Sequence, residues 1–317
     1  MKNIHDNTLL VAHFYAPESV KEIADFVGDS LALIQEARKQ NPKRLVFAGT
    51  LFMSETAKIM LPETEVIQPN IDSTCSLVTQ TNFVKLDRWR NKYPNATHVM
   101  YINSSAKMKT LADIIVTSAN VTDIIENEYK KGNNVIFSPD RNMGAYLNYE
   151  NGYDMPVYTS VCEVHDAFKE EEVSKIMQRW TDGPKFLLAH PESPLPVLKK
   201  ADFVGSTNKM LQWVKEYPKN QQTRAQIYVA TEEGLLHTMR KSRSDVDIHS
   251  APVYTGCGMG GKGCSVCPFM KLNTVELINR SMLGLAGTEI DYLSDKLIDS
   301  AYVPIKRMLD FSQETQI

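Results

Sequence analysis

The chain has 317 residues, with 35 Lys and Arg against 38 Asp and Glu, a formal charge of −3, and 43% hydrophobic against 23% charged residues, the proportions of an ordinary soluble globular protein. No apolar run exceeds four residues, far short of the roughly 18 that a membrane span needs; the start MKNIHDNTLL lacks a basic region followed by an apolar core; and the scattered Lys and Arg leave no basic footprint for nucleic acid. The expectation is a cytoplasmic protein with a small-molecule partner, no membrane and no nucleic acid.

Short apolar runs read as strands and 3.6-period stretches as helices. The chain opens with the strand LLVAHFY, then ESVKEIADFVGDS, the helical LALIQEARK and the strand RLVFAGT. The same succession returns in HVMYINSSAKMKTLADIIVTSANVTDIIENEYKK with NVIFSPD, and again in KFLLAHPESPLPVLKKADFVGSTNKMLQWVKEY with QIYVATE. An Ala-Asp pair marks each copy, at Ala24-Asp25, Ala112-Asp113 and Ala201-Asp202, with Asp-to-Asp intervals of 88 and 89 residues. Phe47, Phe137 and Tyr228 recur at intervals of 90 and 91. Alternating strands and helices imply a parallel sheet covered by helices. The fold class is therefore α/β: three pseudo-threefold-related αβα lobes, each with a small parallel sheet, over residues 1–84, 85–173 and 174–317, the last with a helical tail from Thr274. Such sheets bind ligands at the carboxyl ends of their strands, so the active site is expected at the common interface of the lobes.

Equivalent positions carry the candidate chemistry. The first strands end in His13-Phe14-Tyr15, Tyr101-Ile102-Asn103 and His190-Pro191-Glu192. Residues i and i+2 of a strand share a face, which pairs His13 with Tyr15, Tyr101 with Asn103 and His190 with Glu192 as acid/base groups. Downstream, Gly28-Asp29-Ser30, Thr117-Ser118-Ala119 and Gly205-Ser206-Thr207 stand at apparent helix starts, where side chains cap the helix and free N–H groups suit phosphate or carboxylate. Cys75 and Cys162 lie 87 residues apart at equivalent places, and the third copy supplies Cys257, Cys264 and Cys267 within GCGMGGKGCSVCP. One thiol per lobe suits an iron–sulfur cluster with one open iron; zinc with three cysteines and a water is the competing metal. Gly256, Gly258 and Gly261 match a dinucleotide fingerprint only by spacing, and Gly263 occupies the position where a P-loop needs Ser or Thr.

HFYAPESVKEIADFVGDS, FMSETAKIMLP, DSTCSL, YINSSAKMKTLADIIVTSAN, FSPDRNMGAY, VCEVH, HPES, ADFVGST and CPFM, in order along almost the whole chain, closely resemble the quinolinate synthase family. The resemblance implies three α/β lobes around a 4Fe-4S cluster held by one cysteine from each. It implies condensation of iminoaspartate with dihydroxyacetone phosphate, with loss of phosphate and two waters, to give quinolinate, the pyridine precursor of NAD. A second enzyme would supply the iminoaspartate. Cys75 and Cys162 match the first two cluster cysteines, and Cys267, before Pro in C-x-x-C-P, matches the third. The repeat interval alone favours Cys257, 95 residues after Cys162, over Cys267 at 105. Cys257 and Cys264 stand where some relatives carry extra, disulfide-forming cysteines, although the spacing differs. By resemblance His13, Ser30, Tyr101, Ile102, Asn103, Ser118, His190, Pro191, Glu192 and Thr207 contact substrate, with His13, Tyr15, Tyr101, His190 and Glu192 as catalytic candidates. Ala16 and Ser193 depart from a Gln and a Cys frequent in the family. A non-catalytic iron–sulfur carrier or redox sensor is the alternative, and the acid/base pairs at the strand ends argue against it.

Overall fold

The computed structural model describes residues 7–179, 181–219, 223–253 and 265–314. Cys257 and Cys264, and the glycine-rich stretch around them, lie outside the described residues. The chain divides into two compact units, one of Met1–Pro139, Met155–Ser160 and Pro268–Ile317, the other of Asp140–Asp154 and Val161–Cys267.

Two sheets build the first unit. In the larger, β1 (Thr8–His13), β2 (Phe26–Gly28), β3 (Arg44–Ala48) and β4 (Glu65–Gln68) run parallel in the order β4-β3-β1-β2. In the smaller, β5 (Ala96–Tyr101), β6 (Ile114–Val116) and β7 (Asn134–Ser138) run parallel in the order β6-β5-β7. The second unit holds β8 (Lys185–Ala189), β9 (Phe203–Val204), β10 (Gln226–Ala230) and β11 (Asp247–Ser250), parallel in the order β11-β10-β8-β9. Each sheet repeats one kernel, the first strand of the copy flanked by its short second strand and its third. Mixed α/β architecture with three small parallel sheets is thus the fold, as the repeat predicts.

The central strands are buried on both faces and therefore read as near-continuous apolar runs. Phe47 in β3 and Phe137 in β7 are fully buried, and Tyr228 in β10 nearly so. The Ala-Asp pairs have a purely architectural role. The Asp25 N–H donates to Leu10 O at 2.9 Å while its carboxylate accepts from the Leu10 N–H at 2.9 Å. Asp113 grips His98 in the same two ways at 2.9 and 2.8 Å, and Asp202 grips Leu187 at 2.8 Å in both. Each Asp clamps the short strand beside the first one.

Two features depart from the repeat reading. A fourth strand, β4 or β11, extends the first and third sheets, and in the second copy a lone bridge between Phe137 and Val157 takes its place. EVIQ and DIHS are too short and polar to stand out from turns. The tail from Thr274 is helical over Val275–Met282 and Asp295–Glu314, but Thr288–Glu289 between them forms β12, antiparallel to β4. The helix Asp295–Glu314 buries Ala301, Ile305, Met308 and Leu309 and packs on β6 and on the helices Leu51–Met60 and Ala106–Lys109.

Candidate active site

In the first unit β1 ends at His13, which is buried, and Phe14 and Tyr15 follow in a turn rather than continuing the strand. The shared-face argument therefore fails for Tyr15 in detail. The two side chains still meet, because the Tyr15 N–H donates to His13 Nδ1 at 3.2 Å and the rings stand edge to face with centroids 4.6 Å apart. With Nδ1 accepting, the neutral imidazole carries its proton on Nε2. β5 likewise ends at Tyr101, buried, and Ile102, Asn103 and Ser104 form a bend beyond it, with Asn103 half-buried.

In the second unit β8 stops at Ala189, and buried His190, Pro191 and Glu192 lead into a turn. The Glu192 N–H reaches His190 Nδ1 at 3.4 Å, repeating the His13 arrangement. Glu192 also meets His165, a residue the sequence reading passed over. His165 Nδ1 lies 2.9 Å from Glu192 Oε2 and 3.2 Å from Cys162 Sγ, its Nε2 lies 3.0 Å from Thr231 Oγ1, and its ring is 4.7 Å from that of His190. The signal was present as the C-x-x-H spacing in VCEVH. Asp140, fully buried at the start of the helix Arg141–Asn151, accepts from the Met143 N–H at 2.6 Å. Burial holds its carboxyl well above the usual carboxylate range, and the Glu192 charge adds to the effect. Asn142 donates to Glu192 O at 3.0 Å and to Asp166 Oδ1 at 2.9 Å, so the FSPDRN segment braces the Glu192 turn.

The helix starts differ from one another. Asp29, not Ser30, caps the helix Ser30–Gln40, accepting from the Ala32 N–H at 3.0 Å, and Ser30 is the first helical residue. Burial raises the Asp29 carboxyl pKa, opposed by the backbone N–H groups of Ala32 and Leu31. Ser206 caps the helix Thr207–Glu216, with Thr207 buried as its first residue. Ser118 instead lies three positions before the first residue of its helix, in a turn whose Thr117 N–H donates to Asn120 Oδ1 at 2.8 Å. Asn120 is the residue before the helix Val121–Lys130.

The three described cysteines, Cys75, Cys162 and Cys267, are unbridged and half-buried. Cys75 stands immediately before the helix Ser76–Gln80, in a loop where Asn273 donates to Gly49 O at 3.0 Å and to Ser73 Oγ at 3.1 Å. The Cys267 N–H donates to Glu232 Oε1 at 3.2 Å. Glu232 is fully buried and adjoins Thr231, the partner of His165. The end of β10 thus positions both Cys162, through His165, and Cys267. Unbridged, half-buried thiols are the donor chemistry an iron–sulfur cluster requires. Cys162, His165 and Glu192 also offer ligand atoms within 4.8 Å of one another, a group that could hold a metal ion. A surface cleft of about 240 Å³ lined by Tyr217, Arg224 and Asp245 adjoins Ala225 and Val246, at the amino ends of β10 and β11, away from the strand ends where this fold family places chemistry.

Residues 1–310 match the family model described as quinolinate synthetase A protein. The chain is 36% identical over 307 residues to a quinolinate synthase of Microcystis aeruginosa, covering 96% of this chain and 91% of the relative. It is 37% identical over 307 residues to that of Trichormus variabilis, covering 96% and 90%, and 35% identical over 306 residues to that of Cyanophora paradoxa, covering 96% and 88%.

Proposed function

Because the chain belongs to the quinolinate synthase family, we propose that it condenses iminoaspartate with dihydroxyacetone phosphate to quinolinate, releasing phosphate and two waters, in de novo NAD biosynthesis in the cytoplasm. A partner enzyme of the same pathway supplies the iminoaspartate. The observation that carries the proposal is the gathering of the Cys162 thiol, the Glu192 carboxylate and the His190 ring around His165. It joins a metal-binding thiol to a proton-transfer set.

Cys75, Cys162 and Cys267 would hold the 4Fe-4S cluster; when bound, it supplies a Lewis acid through an iron left without a protein ligand. The remaining work falls to this chain's own side chains. His13 and His190, each accepting an N–H at Nδ1, would donate from Nε2–H to substrate oxygen. Glu192, buried beside His165, takes protons from carbon during enolisation and dehydration. Burial, and after it the Glu192 charge, hold the Asp140 carboxyl well above the usual carboxylate range, which disfavours a second negative charge beside Glu192. Tyr15 and Tyr101 offer hydroxyls at the strand ends, and Asn103 an amide that orients the substrate with Ile102 and Pro191. Ser30 and Thr207 offer hydroxyls at the first turns of their helices, where the positive end of the helix dipole suits the carboxylates and phosphate of the substrates; Ser118 serves from its turn.

The test is anaerobic purification followed by iron, sulfide and zinc determination and an assay for quinolinate from the two substrates. About four irons and four sulfides per chain with quinolinate formed is the expected result. Zinc without sulfide would overturn the cluster, and a full cluster without product would leave an electron carrier or sensor.

A further inference from the structure

We infer that Lys109 is a positioning residue that fixes the bend after β5 and thereby presents Tyr101 and Asn103 to the substrate; the inference rests on the proposed function for these two residues. Counting back three residues from the Ala of each Ala-Asp pair gives Lys21, Lys109 and Leu198, so the position has no fixed chemistry in the repeat. Its chemistry follows the turn above it. In the first copy the Ala16 N–H closes the turn on His13 O at 2.9 Å, and in the third the Ser193 N–H closes on His190 O at 2.9 Å. The second copy is built differently. Its Ser104 N–H bonds Ile102 O at 2.7 Å, and the Tyr101 carbonyl is taken by Ser104 Oγ at 3.0 Å.

This bend is held from below. Lys109 is fully buried, and its Nζ donates to Ile102 O at 3.0 Å and to Ser104 O. The Phe52 ring lies 5.4 Å from Nζ, and Glu55 is the charged group that acts on it, from the helix Leu51–Met60. Glu55 accepts from the Ala106 N–H at 2.8 Å and from the Tyr292 hydroxyl at 3.1 Å. The amine thus bridges the two carbonyls that bracket Asn103, inside a pocket whose carboxylate is anchored to the start of its own helix. Burial brings the Lys109 pKa down to about 7. Ammonium and amine both carry enough N–H bonds to hold two carbonyls, so the clamp survives titration. An apolar side chain of the same length would take the amine from both carbonyls, leaving Ile102 O with only the Ser104 N–H and depriving Ser104 O of its buried donor, which is costly.

The experiment compares the wild-type holoenzyme with Lys109→Met by amide hydrogen exchange, steady-state kinetics and a double-mutant cycle with Tyr101→Phe. Expected are exchange of the amides of residues 102–104 at least tenfold faster with the rest of the first unit unchanged, and kcat lowered at least tenfold with KM within threefold. The double variant should be no slower than the slower single one. Unchanged exchange at 102–104, acceleration spread evenly over the unit, or kinetic effects that multiply would each overturn the inference. If Lys109→Met does not fold, Lys109→Gln, which keeps an N–H donor but is too short to bridge both carbonyls, takes its place under the same criteria. If wild type makes no quinolinate, the proposed function fails, and hydrogen exchange alone then decides whether Lys109 holds the bend.

Discussion

His98 lies at the centre of the second sheet with both ring nitrogens engaged, Nδ1 2.9 Å from Leu111 O and Nε2 2.7 Å from Ser138 Oγ. Burial pushes its pKa down to about 4 from an ordinary 6.5, and Arg90 contributes in the same direction. Between pH 6.5 and 4 the unfolded chain takes up a proton that the native chain refuses. Stability from this site is therefore full above pH 6.5 and falls as the pH drops, by at most about 1.4 kcal/mol per pH unit. His98→Gln should flatten that dependence, read as the difference between urea melts at pH 7 and pH 5; parallel slopes would refute it. At the proposed centre, Ala in place of Cys75, Cys162 or Cys267 should abolish iron and sulfide binding, whereas Cys257→Ala and Cys264→Ala should retain it. Loss of cluster in the Cys257 variant with retention in the Cys267 variant would transfer the third thiolate to Cys257. Glu192→Gln keeps the shape of the residue and removes its basicity, and kcat should fall by about 10²- to 10⁴-fold with cluster content unchanged.

Among elements, the shortest strands depend most on single side chains. β6 has three residues, Ile114–Val116, and is held beside β5 by the Asp113 clamp on His98 as well as by its own ladder. Asp113→Ala leaves the His98 N–H without its carboxylate partner and should cost roughly 1 kcal/mol, measured by denaturant unfolding. A change below 0.3 kcal/mol would mean that water substitutes fully for the carboxylate. The same clamps explain why the repeat can be read from the sequence at all. A two-point hydrogen bond requires Asp at a fixed distance along the chain from the strand it grips, so the interval survives although most of the intervening residues differ. The helix starts lacked such a constraint. Asp29, Ser206 and Asn120 each organise the backbone with a different side chain, and a hydroxyl in the sequence did not reveal whether it caps the helix or stands inside it.

For the whole molecule, the C-terminal helix Asp295–Glu314 ties the elements of the first unit together, since it covers β6 and also the helix Leu51–Met60. Ile305 and Met308 are fully buried and Leu309 is 1% exposed. Leu309→Ala should cost about 2–5 kcal/mol, seen as a lower urea midpoint, and a change under 1 kcal/mol would show that the helix is dispensable to the unit. The sequence by itself determined the α/β class, the three-fold repetition and the family, because periodicity, fixed clamp intervals and contiguous motifs are properties of the chain's order. Only the tertiary structure decided that His165 joins Cys162 to Glu192, that Thr231 and Glu232 support both described thiols of the second unit, that Asp140 lies beside Glu192, and that Lys109 sits under the bend of Tyr101. Each of these contacts joins residues brought together by packing, with no regular interval between them, and a buried polar side chain looks the same in a sequence as an exposed one until its neighbours are known.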